Sequence, residues 1–533
     1  MQTYNNILIN TAQGYVDSLD KNNPPPPEQI EEDMLDLTNA AIAIANGLRA
    51  RGHKLKPRTT LTPIQIAIIL KWRYHICVLD ASKKDKIEGE ELLVIYQPEG
   101  KYRGIYISDE SIFRKLVLQF NPSYTEAEFV QVMKKLRSIV PKKKLGEERN
   151  LIAVNNGIFD YESKTLFPFD PEHVFVSKSM VDYNPNARNI VIHNDQDNTD
   201  WDVESWMNEL SDDPDVITLL WQIIGAIIRP NIPWGKCALF YSESGNNGKG
   251  TLCELMRNIC GDGSYTSLPI ADFAKPFQLE PIIGTSAIIT DENDVGTYID
   301  SAGYFKAVIT SDPININRKN RIPISYRFHG FMVQCLNALP KLKDKSESMY
   351  RRLILIPFEK CFTGAERKYI KKDYLQRKDV LEYVLYKVLN MNYNELIEPD
   401  VCKKALNMFK DEINPIRTFW LEFKEQFVWD LLPYGFLYDL YKSWSQNEMG
   451  KGQNYKSKNA FLKELRALIK TEYSNIWVDH PGAIAPMDRM DKAEELIKEY
   501  DLVNWKNHSH FLDDTERMCH PPLKSTYKGF LRI

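Results

Sequence analysis

The stretch Lys236–Met256, KCALFYSESGNNGKGTLCELM, reads as a strand, a glycine-bearing loop and a helix. Cys237–Tyr241 is an apolar run of strand length, and Leu252, Leu255, Met256 and Ile259 then recur at helical spacing. Between them the backbone N–H groups of Gly245, Asn246, Asn247, Gly248, Lys249 and Gly250 can wrap a polyphosphate. Lys249 can reach its β and γ oxygens, and the helix N-terminus adds the positive end of its dipole. The loop departs from G-x-x-x-x-G-K-[ST] in two places: Glu243 stands at the first glycine position, and Gly250 separates Lys249 from Thr251. Thr251 still falls on the first helical turn, where its hydroxyl is placed for Mg²⁺. The stretch is therefore read as a nucleoside-triphosphate site.

The pieces that follow extend this to an ATPase. Thr285–Thr290 is an apolar strand ending in Asp291 and Glu292. The first carboxylate is assigned to the metal through its water shell, the second to orienting the attacking water. Phe331–Leu336 is another buried-strand pattern, and Asn337 at its end is placed to sense the γ-phosphate. Between these strands lies ITSDPININRKNRIPISYRF, two β-prone runs around a basic tip of Arg318, Lys319 and Arg321, read as a hairpin that grips a phosphate backbone. Arg351 and Arg352 precede the run Leu353–Phe358, where an arginine can be presented to the ATP of a neighbouring subunit; such fingers contribute about 10³–10⁵ in rate.

At 533 residues the chain suits roughly three or four domains of about 100–200 residues each. Hydrophobic residues at 43% and charged residues at 26% are those of a globular protein. A net charge of −4 excludes a chain that is basic throughout, so any nucleic-acid contact must come from local patches. Eight cysteines without a C-x-x-C pair suit reduced thiols. No signal-peptide pattern opens the chain, and the longest apolar run, Val216–Ile228, is too short for a bilayer and is interrupted by Gln222. A cytoplasmic protein without membrane association is expected.

Five regions are expected. Residues 1–90 are read as a frayed arm ending in Pro24–Pro27, then helices over Glu28–Arg51 and, capped by Thr62, through Trp72. Residues 91–215 are read as an α+β region: a hairpin of Leu92–Tyr96 and Tyr102–Ile107, helices capped by Ser108 and Thr125, and a solvated helix end at Lys142–Lys144. Short β connections follow in Asn155–Pro171, then a loop at Asp195–Asp202. Residues 216–365 form the ATPase and 366–413 a helical connection. In residues 414–533, Leu437, Leu440, Tyr441 and Trp444 make one helix face, and Ser457 caps Lys458–Lys470, whose Lys458, Lys463, Arg466 and Lys470 face outward. With Tyr527–Ile533 as a closing strand this suits a winged-helix-like DNA-binding domain. His508, His510, Cys519 and His520 match no zinc-finger spacing, and no metal is expected there.

The order and spacing of SESGNNGKGT, IITDEND, KAVITSDPI with NRKNR, MVQCLNALPKL and MYRRLILIPF resemble the superfamily 3 helicases, specifically the helicase region of phage, plasmid and poxvirus primase-helicases. The resemblance extends upstream through Leu92–Pro185, including IAVNNGIFDYESKTLFPFDPEHV. It implies a multidomain α/β protein with an AAA+-type P-loop core, a mostly helical N-terminal region, and a hexameric ring on single-stranded DNA with ATP sites between subunits. By motif position, Lys249 and Thr251 would hold phosphate and Mg²⁺, Asp291 and Glu292 would be the acidic pair, and Asn337 the sensor. Arg351 or Arg352 would be the finger and Lys319 the foremost DNA contact. The family's primase domain takes a few hundred residues with their own metal-binding carboxylates, and only about ninety mostly helical residues stand upstream here, so no primase active site is expected and a separate primase or other replication protein is a possible partner. The implied function is an ATP-dependent DNA helicase acting on single-stranded and forked DNA in replication of a phage or mobile element, within the cytoplasm of its bacterial host. Two alternatives stay open: an ATP-dependent origin-binding ring without unwinding, and a nucleotide kinase, since G-K-G-T also ends the phosphate loop of adenylate-kinase-like proteins.

Overall fold

Five apolar runs build a parallel sheet at the centre of the chain: Cys237–Tyr241 (β1), Tyr265–Thr266 (β2), Ala287–Thr290 (β3), Phe331–Leu336 (β4) and Leu353–Pro357 (β5). Their order is β2-β3-β4-β1-β5, every pairing parallel. Strands covered on both faces need continuous apolar runs, which is what β3 and β4, buried at every position, supply. The helix Pro214–Ile227 packs in the same core and is buried almost all round. From β1 the chain crosses to β2 at the far edge, whereas β5 lies on β1's other side, so the carboxyl end of β1 is a switch point of the kind that receives ligands. The helix Lys249–Cys260 (α1) begins there.

The computed structural model describes residues 3–79, 91–294, 298–299, 302–319, 321–342, 344, 346–364, 367–448, 455–480, 482–507 and 518–533. They form two compact units, Met1–Leu406 and Asn407–Ile533. The division falls inside the helix Asp400–Ile413, a little before the expected boundary at 414.

Several expectations in the first unit are corrected. The N-terminal arm is a helix, Tyr4–Asp17, that buries Ile7, Leu8, Ala12, Tyr15 and Val16, and the Tyr15 hydroxyl donates to Asp33 at 2.8 Å. Nor does the chain break at 90: Ala12, Ile30, Ile66, Phe113, Phe129 and Leu136 share one core, and Ile76–Leu79 pairs with Leu92–Tyr96 in a four-stranded sheet. Its edge is Lys142–Lys143, paired parallel to Ile76–Leu79. Pro141 cannot continue the preceding helix, and its carbonyl accepts from Val78 N at 3.0 Å, so the lysines fall in a strand. Asp109, one residue beyond Ser108, caps the helix Glu110–Leu118, whereas Thr125 forms the capping box expected of it with Glu128. The segment expected as a loop at Asp195–Asp202 is a hairpin, Ile192–Asn194 with Thr199–Trp201, anchored by the buried Trp201.

In the second unit Leu431–Pro433 and Trp477–Asp479 both pair antiparallel with Gly529–Arg532. Helices Pro415–Phe423, Tyr434–Glu448 and Lys458–Glu472 accompany this sheet, and Phe419, Trp420, Tyr441, Phe461 and Phe530 form an aromatic core. Among the described residues no helix is long and apolar enough to cross a membrane.

Candidate functional site

The loop after β1 makes its turn with two left-handed residues, Asn246 at φ 53° and Gly248 at φ 86°. A Cβ on Gly248 would stand 2.6 Å from Leu210 Cδ2, so the position demands glycine on two counts. Asn247 is buried; its amide donates to the Ser244 carbonyl and its oxygen accepts from Lys249 N at 3.3 Å. The loop is thus pinned from within, and Glu243, at the expected glycine position, accepts from the Tyr241 hydroxyl at 2.8 Å.

Lys249 opens α1 and is 5% exposed. Its ammonium donates to the carbonyls of Ser242 and Leu336, both at 3.2 Å, and to Asn337 Oδ1 at 3.1 Å. These three partners are neutral, and burial pushes the Lys249 pKa down. A buried cation held only by neutral oxygens at a helix N-terminus fits a polyphosphate, whose charge would restore what burial removes. Asn337 reaches Lys249 because β4 lies directly beside β1.

Asp291 ends β3, with Arg257 of α1 donating to it at 2.9 and 3.2 Å. Burial alone would raise the Asp291 pKa, but the Arg257 hydrogen bond and charge outweigh it and hold the carboxyl below the usual range. Glu292 beside it is exposed. The hydroxyl of Thr251 and the carboxylate of Asp291 are hard oxygen donors of the kind Mg²⁺ takes. Behind the acidic pair is Asn293, a residue of the IITDEND stretch to which the sequence reading gives no role. Buried Asn293 donates to Gln334 Oε1 and the Cys335 carbonyl, each at 3.0 Å, and accepts from Ile270 N at 2.9 Å, which fixes the turn that carries both acids.

A cavity of about 230 Å³ lies beside the loop. Asn246, Gly248 and Thr251 line it together with Trp206, Phe362, Ile370, Lys368, Lys371 and Lys372, and with Arg367, which is paired to Glu209 in the same lining. The cationic wall comes from the helix Lys368–Lys372, in the region expected only as a connection; the run KYIKK was the available signal.

The two arginines part company. Arg352 is half-buried and donates to Ser348 Oγ at 3.0 Å, whereas Arg351 is exposed. Ile314–Arg318 pairs antiparallel with Arg321–Tyr326 in the expected hairpin, with Lys319 and Arg321 exposed near its tip. Phe277, at φ 65° and 54% exposed, lines the same groove as Arg318 and Arg321. In the second unit Arg466 pairs with Asp479 at 3.1 Å and lies over the Tyr434 ring, while Lys458, Lys463 and Lys470 are exposed. His508 and His510 lie outside the described residues; among the described residues no group of three or more His, Cys, Asp and Glu side chains comes together to hold a metal ion.

Three family profiles match the chain: "D5 N terminal like" over residues 86–212, a family of unknown function (DUF5906) over 240–352, and "Poxvirus D5 protein-like" over 411–506. The middle match covers the loop, the acidic pair, the hairpin and both arginines. Among solved structures, an apo form of the NrS-1 C-terminal region is 13% identical, covers 80% of this chain and 98% of its own, and superposes with a TM-score of 0.43. A second apo structure of that region is 14% identical, at 79% and 96% coverage and a TM-score of 0.42. JCV Helicase bound to a thiazolopyridine acetamide is 14% identical over 39% of this chain and 58% of that one, with a TM-score of 0.25. At the coarse level of the family matches, the chain is similar to primase-helicase-type replication proteins.

Proposed function

We propose that the protein is an ATP-dependent DNA helicase of superfamily 3 type, acting as a ring in replication of a mobile element. The observation that carries this is the strand order: β4 separates the loop strand β1 from the acidic strand β3, and Lys249 is already bonded to the amide at the end of β4. That arrangement supports an AAA+-type core. On this reading the attacking water lies between phosphate loop and acid, with Asn337 beside it.

Lys249 and the loop N–H groups hold the phosphates, and the cations lining the adjacent cavity add to their charge. Thr251 and Asp291 would hold Mg²⁺, which would supply neutralisation of the phosphate charge. Glu292 orients water from its exposed position at the end of β3. Arg351, rather than Arg352, is free to reach a neighbouring subunit. Arg318, Lys319 and Arg321 grip one DNA strand and exposed Phe277 offers a ring for a base to stack on. The second unit, with three strands and basic Lys458, Lys463 and Lys470, supports a winged-helix-like DNA contact.

The test is strand displacement from a forked duplex by purified protein with Mg²⁺-ATP. Wild type unwinds and Lys249→Ala does not. Hydrolysis without displacement would favour the origin-binding ring instead.

A further inference from the structure

We infer that the N-terminal region supplies the second wall of the DNA track, through Lys134, Lys135 and Arg137 on the helix Glu126–Ile139. The inference rests on the reading of the Arg318–Arg321 hairpin as a DNA contact.

The helix Glu126–Ile139 buries Phe129, Val132, Met133 and Leu136 in the N-terminal core. Its opposite face presents Gln131, Lys134, Lys135 and Ser138, at i, i+3, i+4 and i+7, to a groove of about 1110 Å³. Arg318 and Arg321 line the same groove. Burial and then the charge of Arg321 push the Arg318 pKa down, Arg137 adding to the shift while Glu280 and Glu110 oppose it. Five cations and two carboxylates line this one cleft, and the excess of positive charge, with Lys134 and Lys135 exposed, suits an entering anion.

The carboxylates in the groove, Glu110 and Glu126, balance only part of that charge. Glu126 and Glu110 accept from Arg114 at 2.7 and 3.0 Å, and Glu110 stands 3.5 Å from Arg321. The Nε of Arg137 is buried with no hydrogen-bond partner among the described residues. Lys134, Lys135 and Arg137 lie within one turn of the helix, about 4.5 Å of rise at 1.5 Å per residue, so they can meet one or two neighbouring phosphates of an extended strand. Two cationic walls on an open cleft fit a flexible single strand, whose phosphates can turn to either side.

The test measures binding of fluorescein-labelled oligodeoxythymidylate to the full chain by anisotropy over a range of salt, without nucleotide. A Lys134→Ala, Lys135→Ala double variant should bind at least about tenfold more weakly, and its slope of log K against log salt should fall by about 1.4, at about 0.7 for each phosphate of a single strand left without its lysine. The Lys134→Arg, Lys135→Arg variant should keep both affinity and slope. Wild-type affinity and slope in the alanine pair, with Lys319→Ala weakened, would overturn the second wall and leave the hairpin reading standing. A changed sedimentation mass with unchanged DNA binding would overturn it too, marking the groove as a contact between copies. Because the measurement needs no ATP, a chain that shows the groove effect but hydrolyses nothing would retire the motor and keep the track.

Discussion

Gly248 concentrates what the loop requires of a single residue. Left-handed backbone at φ 86° costs a side-chain-bearing residue about 1–2 kcal/mol, and the 2.6 Å approach to Leu210 adds a clash that only movement of the loop or of Leu210 relieves. Gly248→Ala should therefore lose ATP hydrolysis by far more than its Tm falls, because the displaced backbone is the part that wraps phosphate; hydrolysis rates beside a thermal melt check this. Retained hydrolysis would mean that the loop tolerates another turn. The same residue shows how far single positions were legible. Lys249, Asp291 and Asn337 stand out in the sequence because chemistry-bearing residues end apolar runs. Asn293 and Lys371 do not, since the first acts through Gln334 and the second through a cavity wall brought in from far along the chain. The different surroundings of Arg351 and Arg352 were equally hidden: adjacent letters do not say which side chain folds back on Ser348.

Elements were legible where periodicity was long. The strands β1 and β4 and the helix Lys458–Glu472 fall where apolar spacing puts them, and Ser457 caps that helix as expected, accepting from Ala460 N. Two- and three-residue strands such as Lys142–Lys143 carry no periodicity and exist because a partner edge is present. One element of the second unit can be titrated. Glu494 is 1% exposed and precedes the short helix Leu496–Glu499; burial raises its pKa from 4.5 to about 7, against opposing hydrogen bonds from backbone N–H groups including Val428 at 3.2 Å. The folded state thus binds this proton more tightly than the unfolded state. Its contribution to stability is full below pH 4.5 and is lost as pH rises toward 7, a loss of about 3 kcal/mol at 1.36 kcal/mol per unit. Urea unfolding from pH 5 to 8, followed by tryptophan fluorescence, should show that decline, and Glu494→Gln should flatten it. Trp420, Trp429, Trp444, Trp477 and Trp505 report on this unit. An identical slope in the variant would remove Glu494 as its source.

At the scale of the whole molecule the proposed motor divides one active site between two copies of the chain. Lys249, Thr251, Asp291, Glu292 and Asn337 converge at the carboxyl ends of β1, β3 and β4, all within one unit. Arg351 sits just before β5, exposed, while its neighbour Arg352 is committed to its own helix. An arginine held in cis would show a carboxylate or phosphate-facing partner within its own site; exposure is what a residue used in trans requires before assembly. Two variants, each dead alone, then become informative together. Lys249→Ala cannot hold phosphate but still presents Arg351; Arg351→Ala holds phosphate but offers its neighbour nothing. Mixed in equal amounts, the two should place intact loops beside intact arginines at about a quarter of random interfaces, so hydrolysis should return well above the sum of the separate variants, with a finger worth about 10³–10⁵ in rate at each restored interface. Arg352→Ala should give no such rescue and should instead lower Tm, since it removes the hydrogen bond to Ser348. If the Lys249→Ala and Arg351→Ala mixture stays as inactive as its components while sedimentation shows mixed oligomers, Arg351 does not act across the interface, and Arg367, the arginine that lines the cavity beside the loop, becomes the candidate that completes the site.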